Sequence, residues 1–147
     1  MASFNLDGAA HLLNRHHALT FTPIRMPRVA FLGLGAIGTP MARHLARPEF
    51  DLAVWNRTAA KAEAFAASAA ARVAATPADA ARDRDVIVTC LPVSRDVEAL
   101  LEGPDGLLAT MPAGSVLVDC TSGDAATSRR MAARLAERGI GFLDAPV

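Results

Sequence analysis

From residue 28 onward, short apolar runs alternate with longer stretches in which alanine, leucine and methionine recur at helical spacing. The first run, Val29-Ala30-Phe31-Leu32, has strand length, and the turn after it opens a helical pattern over 36–46. Pro40 lies near that helix's start, where a missing N–H is least harmful, and Pro48 ends it. The same reading predicts strands over 52–55, 72–75, 86–91, 116–120 and 142–145. Helices are expected over 58–70, 76–84, 96–101 and 124–138, with a short apolar helical turn over 107–111. Thr58 and Ser94 are the expected caps of their helices, Thr76-Pro77 opens the third, and Gly139 ends the last. The run over 86–91 is continuously apolar, as expected of a strand covered on both faces.

Strands alternating with helices imply right-handed parallel crossovers and an α/β fold with a doubly wound, mostly parallel sheet. Ligands of such sheets lie at the carboxyl ends of the strands. Four turns occupy those ends: Gly33 to Gly38, Asn56-Arg57-Thr58, Leu91-Pro92-Val93-Ser94 and Thr121-Ser122-Gly123. They are expected to line one cleft.

The first of these turns reads Gly33-Leu34-Gly35-Ala36-Ile37-Gly38, the G-x-G-x-x-G spacing of a dinucleotide-binding unit, with a strand before it and a helix after it. Gly33 suits the tight turn, Gly35 lets a pyrophosphate approach the backbone, and Gly38 lets the helix pack close to the strand. The helix start directs free N–H groups and the positive end of its dipole at the phosphates. The second turn selects the cofactor. A carboxylate at the end of strand two would hold the ribose 2′-hydroxyl of NAD, but this chain has Trp55-Asn56-Arg57-Thr58 and no acid. Arg57 offers a fork of donors that suits a phosphate, Asn56 and Thr58 add neutral hydrogen bonds, and Lys61 adds charge one helical turn on. NADP is therefore expected over NAD. The competing reading of Arg57 is a surface charge at a strand end.

The chain has 147 residues, 52% hydrophobic and 20% charged, which fits one globular domain and argues against wholesale disorder. Lysine plus arginine and aspartate plus glutamate number 15 each, with no dense basic run, so nothing in the charge points to nucleic acid or an anionic membrane surface. No apolar run approaches the ~20 residues of a membrane span. Cys90 and Cys120 fall in strand-like runs without metal-ligand spacing and read as buried, reduced core residues. Two cysteines without a secretory signal fit a cytoplasmic protein. Residues 1–25 break the pattern: His11, Arg15, His16 and His17 stand among Asn, Gly and small apolar residues. They read as a disordered, solvated extension rather than a metal site or a transit peptide, and the domain is taken to span 26–147.

With these residues in view, the chain resembles the β-hydroxyacid dehydrogenases, the family of 3-hydroxyisobutyrate dehydrogenase, and more distantly the 6-phosphogluconate dehydrogenases. The resemblance is to their N-terminal Rossmann-type NADP-binding domain and covers roughly residues 28–147. Gly33 to Ala42 is similar to the family's G-L-G-x-M-G-x-P-M-A signature, with Ile37 in place of the usual Met. The resemblance implies that Gly33, Leu34, Gly35, Ala36, Ile37, Gly38, Asn56, Arg57, Thr58, Leu91 and Pro92 bind the cofactor. Asp119-Cys120-Thr121-Ser122 resembles the family's D-x-S-T segment, which implies substrate contacts from Thr121, Ser122 and Gly123. In this chain Thr and Ser are exchanged and Ala125 stands where Pro is commoner; read from the residues alone, Ser122 or Asp124 can instead simply cap a helix.

Phe142-Leu143-Asp144-Ala145-Pro146-Val147 resembles the start of the family's D-A-P-V-S-G-G motif. The family's catalytic lysine segment and all-helical C-terminal domain lie beyond that motif and are absent here, so no catalytic residue is assigned. Lys61, the only lysine, falls on the cofactor side. The implied activity is oxidoreduction of the CH–OH group of a small β-hydroxyacid, or reduction of a semialdehyde, with catalysis expected only once a C-terminal domain completes the site. Three readings follow: the cofactor domain of such an enzyme cut short, a non-catalytic NADP-binding module, or one half of a split dehydrogenase. A homo-oligomer is compatible with each.

Overall fold

Residues 25–147 are described by the computed structural model, and the extension expected over residues 1–25, with its histidines, lies outside them but for Arg25. The chain runs through Arg28–Leu32 (β1), Gly38–Leu45 (α1), Asp51–Trp55 (β2), Ala59–Ala66 (α2), Arg72–Val73 (β3) and Pro77–Ala81 (α3). It continues through Val86–Thr89 (β4), Ser94–Leu101 (α4), a 3-10 turn at Leu107–Ala109, Val116–Asp119 (β5), Ala125–Ala136 (α5) and Gly141–Asp144 (β6). The six strands form one sheet in the order β3-β2-β1-β4-β5-β6, and every pairing is parallel. This is the Rossmann-type doubly wound sheet expected from the alternation. Its order reverses at β1: the chain moves outward to β2 and β3, returns to β4, and moves outward the other way. The crevice between the β1 and β4 turns is the place where such sheets hold ligands.

Side chains of each strand alternate between two apolar clusters. Ala30, Leu32, Ile87 and Leu117 point to one face and pack under α3, α4, α5 and the 3-10 turn, with Val97, Leu101, Leu107, Met131 and Leu135. Val29, Phe31, Leu52 and Val54 point to the other face and pack under α1 and α2, with Ala42, Ala62 and Phe65. Burying one such Leu, Ile or Phe contributes about 1.5–3 kcal/mol, more than a typical net hydrogen bond. The sheet core therefore sets the frame on which the turns are carried.

The second face is unevenly covered. Register places Val88, Val118 and Leu143 in line with Phe31. Val88 and Val118 are half-buried and Leu143 is 53% exposed on the edge strand β6. An apolar side chain is thus left open at the edge. Among the described residues no helix is long and apolar enough to cross a membrane.

The strand ends opposite the turns are tied by charge. Arg84, 6% exposed, donates to the Asp51 carbonyl at 3.0 Å and pairs with the Asp51 carboxylate at 2.9 Å, joining the approach to β4 to the start of β2. Asp85 accepts the Arg28 N–H at 2.8 Å and pairs with Arg25 and Arg28.

Several elements are shorter than expected. β3 contains only Arg72 and Val73, both exposed, because this edge position buries too little to extend the pairing. The third helix ends at Ala81, and Asp83 then takes a positive φ of 57° before β4. α1 begins at Gly38 rather than at residue 36, since the glycine turn itself occupies those two positions.

Gly38 sits where helix and turn meet most closely. A Cβ there would lie 1.9 Å from the Gly33 carbonyl oxygen and 3.3 Å from the Phe31 ring. The obstructing atom is backbone and cannot rotate away. Gly38→Ala is expected to lower unfolding stability by about 3 kcal/mol, the upper end of overpacking costs. Urea unfolding of the two proteins measures it.

Candidate functional site

The turn after β1 is closed by the neighbouring strands. Gly33 takes φ +106°, and a Cβ on it would lie 2.2 Å from the Cys90 carbonyl oxygen, so the first glycine is required both for its backbone conformation and for its contact with the end of β4. Its N–H donates to the Trp55 carbonyl at 3.0 Å, and the Leu34 N–H donates to Asn56 Oδ1 at 2.9 Å. Beyond these two anchors the N–H groups of Gly35, Ala36, Ile37 and Gly38 have no partner among the described residues. A Cβ on Gly35 would meet nothing within 4 Å. Four successive donors at the start of an eight-residue helix, beside open space, form an anion cradle.

The cradle opens into a cavity of about 540 Å³. Gly33, Gly35, Ala36, Ile37 and Gly38 form its floor, Asn56, Arg57, Thr58 and Lys61 one side, and Cys90, Leu91 and Pro92 the other. Leu34 lies on the far side of the turn, in a smaller depression of about 360 Å³ with Thr39, Arg43, Lys61 and Phe65. Because β2 and β4 flank β1, the two side walls stand on opposite sides of the glycine turn. The volume is that of a cofactor cleft.

On the β2 side, Arg57 and Lys61 are exposed cations with no carboxylate among the residues of that wall. Asn56 is already engaged. Its Oδ1 accepts the Leu34 N–H and its Nδ2 donates to the Thr58 carbonyl at 3.0 Å, which joins the glycine turn to the second wall. Thr58 stands at the N-cap of α2 in extended backbone, yet its hydroxyl makes no capping bond, contrary to the capping role expected of it. Thr58 lines the cavity.

The comparisons with known proteins cover this same stretch. Residues 28–147 match the family described as the NAD binding domain of 6-phosphogluconate dehydrogenase. The chain belongs to that family. It is 42% identical over 122 residues to an uncharacterized oxidoreductase of Shewanella frigidimarina, covering 83% of this chain and 42% of that protein. It is 36% identical over 122 residues to the NAD-dependent L-serine dehydrogenase of Pseudomonas aeruginosa, covering 83% and 41%. Among solved structures, Mycobacterium tuberculosis 3-hydroxyisobutyrate dehydrogenase with L-serine superposes with a TM-score of 0.70 at 29% identity, covering 84% of this chain and 41% of that one. Psf3 in complex with NADP+ and 2-OPP superposes with a TM-score of 0.74 at 28% identity, covering 81% and 42%. The chain thus spans about two fifths of the length of these relatives. It is a pyridine-nucleotide-binding domain of the 3-hydroxyisobutyrate dehydrogenase-like group.

In this family member the turn after β5 lies beside the cavity wall but does not line the cavity itself. Thr121 is buried, and its hydroxyl accepts the Leu91 N–H at 3.0 Å. Ser122 is exposed and donates to the Val147 carbonyl at 2.9 Å. Gly123 rests against Ser94, whose Oγ accepts the Asp124 N–H at 3.1 Å. Ser94 was expected to cap α4; it is instead the helix's first residue, Val93 holds the N-cap position, and the hydroxyl is committed to the neighbouring turn. Trp55, Cys90 and Asp96 also line the cavity and were not anticipated as site residues. Trp55 ends β2, Cys90 follows β4 and Asp96 lies in the first turn of α4, placements that motif spacing does not carry. Cys90 and Cys120 are both free thiols, each held above the ordinary thiol range by burial, with the Asp119 charge adding to it. Among the described residues no His, Cys, Asp and Glu cluster could hold a metal ion.

Asp124 caps α5, its two oxygens accepting the Thr127 N–H at 2.8 Å and the Thr127 hydroxyl at 2.7 Å. The hydroxyl bond first, and the N–H bond second, hold its carboxyl below the usual aspartate range. A carboxyl lowered on folding contributes its full stability above the unfolded value of ~3.9 and loses it as pH falls through the lower folded value. Asp79, lowered chiefly by the Ala75 N–H, and Asp85, lowered chiefly by the Arg28 N–H, act in the same direction. The protein is therefore expected to lose stability between about pH 5 and about pH 2, and Asp124→Asn to lose less over that interval. Thermal midpoints of both proteins across the range are the measurement; parallel curves would contradict the role given to Asp124.

Proposed function

We propose that this chain holds NADP(H) as the cofactor domain of an oxidoreductase that acts on the CH–OH group of a small β-hydroxyacid or reduces a semialdehyde. The observation that carries the cofactor choice is the β2 wall: Asn56, Arg57, Thr58 and Lys61 stand beside four unpaired backbone donors, and no acid occupies the strand end. A carboxylate about 4 Å from a 2′-phosphate would oppose it by roughly 4 kcal/mol per unit charge at an effective dielectric of 20. Arg57 supplies a planar fork of donors in its place.

On this reading Gly35 to Gly38 receive the pyrophosphate, Arg57, Thr58 and Lys61 the adenosine 2′-phosphate, and Leu91 and Pro92 flank the nicotinamide half. The bound nicotinamide supplies the hydride donor or acceptor. The titratable groups that line the cavity are Arg57, Lys61, Cys90 and Asp96. Arg57 and Lys61 face the adenosine side, and burial makes the Cys90 thiol a weaker acid than usual, further from the near-neutral value that suits a general acid. General acid–base help is worth typically ~10²–10⁴-fold, and a chain without it is expected to bind nucleotide with little turnover of hydroxyacids or semialdehydes. Two free thiols kept protonated suit a reducing, cytoplasmic setting.

The affinities of NADPH and NADH decide the cofactor. Arg57→Ala is expected to weaken NADPH about tenfold, the loss of one charge-assisted contact, while leaving NADH within about twofold. Isothermal titration gives both numbers. Equal affinity of the unsubstituted chain for the two nucleotides would overturn the NADP assignment and leave the pyridine-nucleotide family membership intact.

A further inference from the structure

Behind the cavity wall runs a buried chain of hydrogen bonds that none of the roles above uses. Asp119 ends β5 at 1% exposure, after an otherwise apolar Val116-Leu117-Val118 run. One of its carboxyl oxygens, Oδ1, accepts the Thr89 hydroxyl at 2.8 Å and the Thr121 N–H at 3.0 Å. Thr89 is fully buried at the end of β4, directly opposite Asp119 in the strand register. Thr121, 3% exposed, returns the connection to β4 by accepting the Leu91 N–H on its hydroxyl. The path therefore leaves β4 at Thr89, crosses to β5, and comes back at Leu91.

A second contact holds the same turn from the other side. Ser94 is 5% exposed, its hydroxyl accepts the Asp124 N–H, and a Cβ on Gly123 would lie 1.5 Å from that oxygen. The β5 turn is thus pressed onto the first turn of α4 and cannot shift without moving Leu91. Burying a carboxyl costs several kcal/mol unless donors surround it. A strand end that needed only to terminate would not require one.

We propose that Asp119, oriented by Thr89, is a positioning residue: through Thr121 it fixes Leu91 and so shapes the wall against which the nicotinamide half of the dinucleotide rests. This deepens the pyridine-nucleotide reading and rests on it. Leu91 lies across β1 from Arg57, so the effect is confined to one half of the ligand. That confinement separates positioning from mere support of the fold.

The test uses the full chain and two ligands, NADPH and 2′,5′-ADP, which reaches the glycine turn and the β2 wall but not Leu91. Thr89→Val keeps the shape of Thr89 and removes its donor. It is expected to weaken NADPH about fivefold, the effect of one buried hydrogen bond, and to leave 2′,5′-ADP within about twofold. Asp119→Ala is expected to do the same or more, Thr89→Ser to restore wild-type affinity, and the Leu91 amide to exchange with solvent faster in Thr89→Val than in Thr89→Ser. Parallel losses for both ligands, or NADPH binding unchanged in Thr89→Val, would overturn the positioning role alone. An unsubstituted chain that binds neither ligand would overturn the nucleotide reading and this proposal with it. If NADH proves to bind as well as NADPH, the same contrast is read with NADH against ADP.

Discussion

The whole site depends on one close approach, that of the first turn of α1 to the carbonyl of Gly33. With a Cβ at Gly38 there would be 1.9 Å between that atom and the oxygen, so the helix can start where it does only because residue 38 is glycine. The consequence is electrostatic as well as steric. A helix drawn this close to the strand end leaves the N–H groups of Gly35, Ala36, Ile37 and Gly38 along the cavity, with no partner among the described residues. Leaving four backbone donors unpaired is costly in a buried setting and acceptable at the mouth of a cleft where water or an anion can reach them. The cradle is therefore a site in which local stability is given up in favour of an external partner.

The turns around the cradle are linked by hydrogen bonds as well as by packing. Asn56 joins the β2 wall to Leu34, Thr121 joins the β5 turn to Leu91, and Ser94 joins α4 to Asp124. Each link uses a side chain on one turn and a backbone N–H on the next. The geometry of the cleft is thus specified by three or four short polar side chains, while the two apolar clusters below fix only the height and direction of the strands. Motion of one turn is transmitted to its neighbour, because an unpaired N–H in this partly buried rim costs about 1–3 kcal/mol.

Much of this was legible in the sequence, and for identifiable reasons. The period of the apolar runs determined strand and helix order, since the central strands of a doubly wound sheet are apolar on both faces, as Val86-Ile87-Val88 is. The glycine spacing located the cradle because each glycine answers a separate steric demand. What the sequence did not reveal lies in contacts between distant turns. Ser94 has the look of an N-cap, being a serine just before an apolar helical stretch, and only the approach of Gly123 shows that its hydroxyl is needed elsewhere. Asn56 reads from the sequence as a ligand contact, and only the fold adds that its Oδ1 also accepts the Leu34 N–H. Thr121 and Ser122 stand together in the chain but separate in space, one buried against Leu91 and the other exposed. Local pattern cannot distinguish a hydroxyl that meets a ligand from one that meets a neighbouring turn.

The distribution of charge bears on how selective the cleft can be. Arg57 and Lys61 are exposed, and the chain as a whole carries no net charge, so long-range steering of an anionic nucleotide contributes little. An exposed guanidinium facing a phosphate is screened by water and salt, and its worth is closer to 1–2 kcal/mol, a factor of roughly 10, than to the several kcal/mol of a buried pair. On the proposed reading, the greater part of dinucleotide affinity comes from the backbone donors of the glycine turn and from the apolar wall at Leu91, features that act on NAD and NADP alike. On that reading, discrimination between the two nucleotides falls to the β2 wall, superimposed on a cradle that is indifferent to it. Within one family, exchanging the few residues after β2 can therefore change the preferred cofactor while the fold and the phosphate site stay as they are.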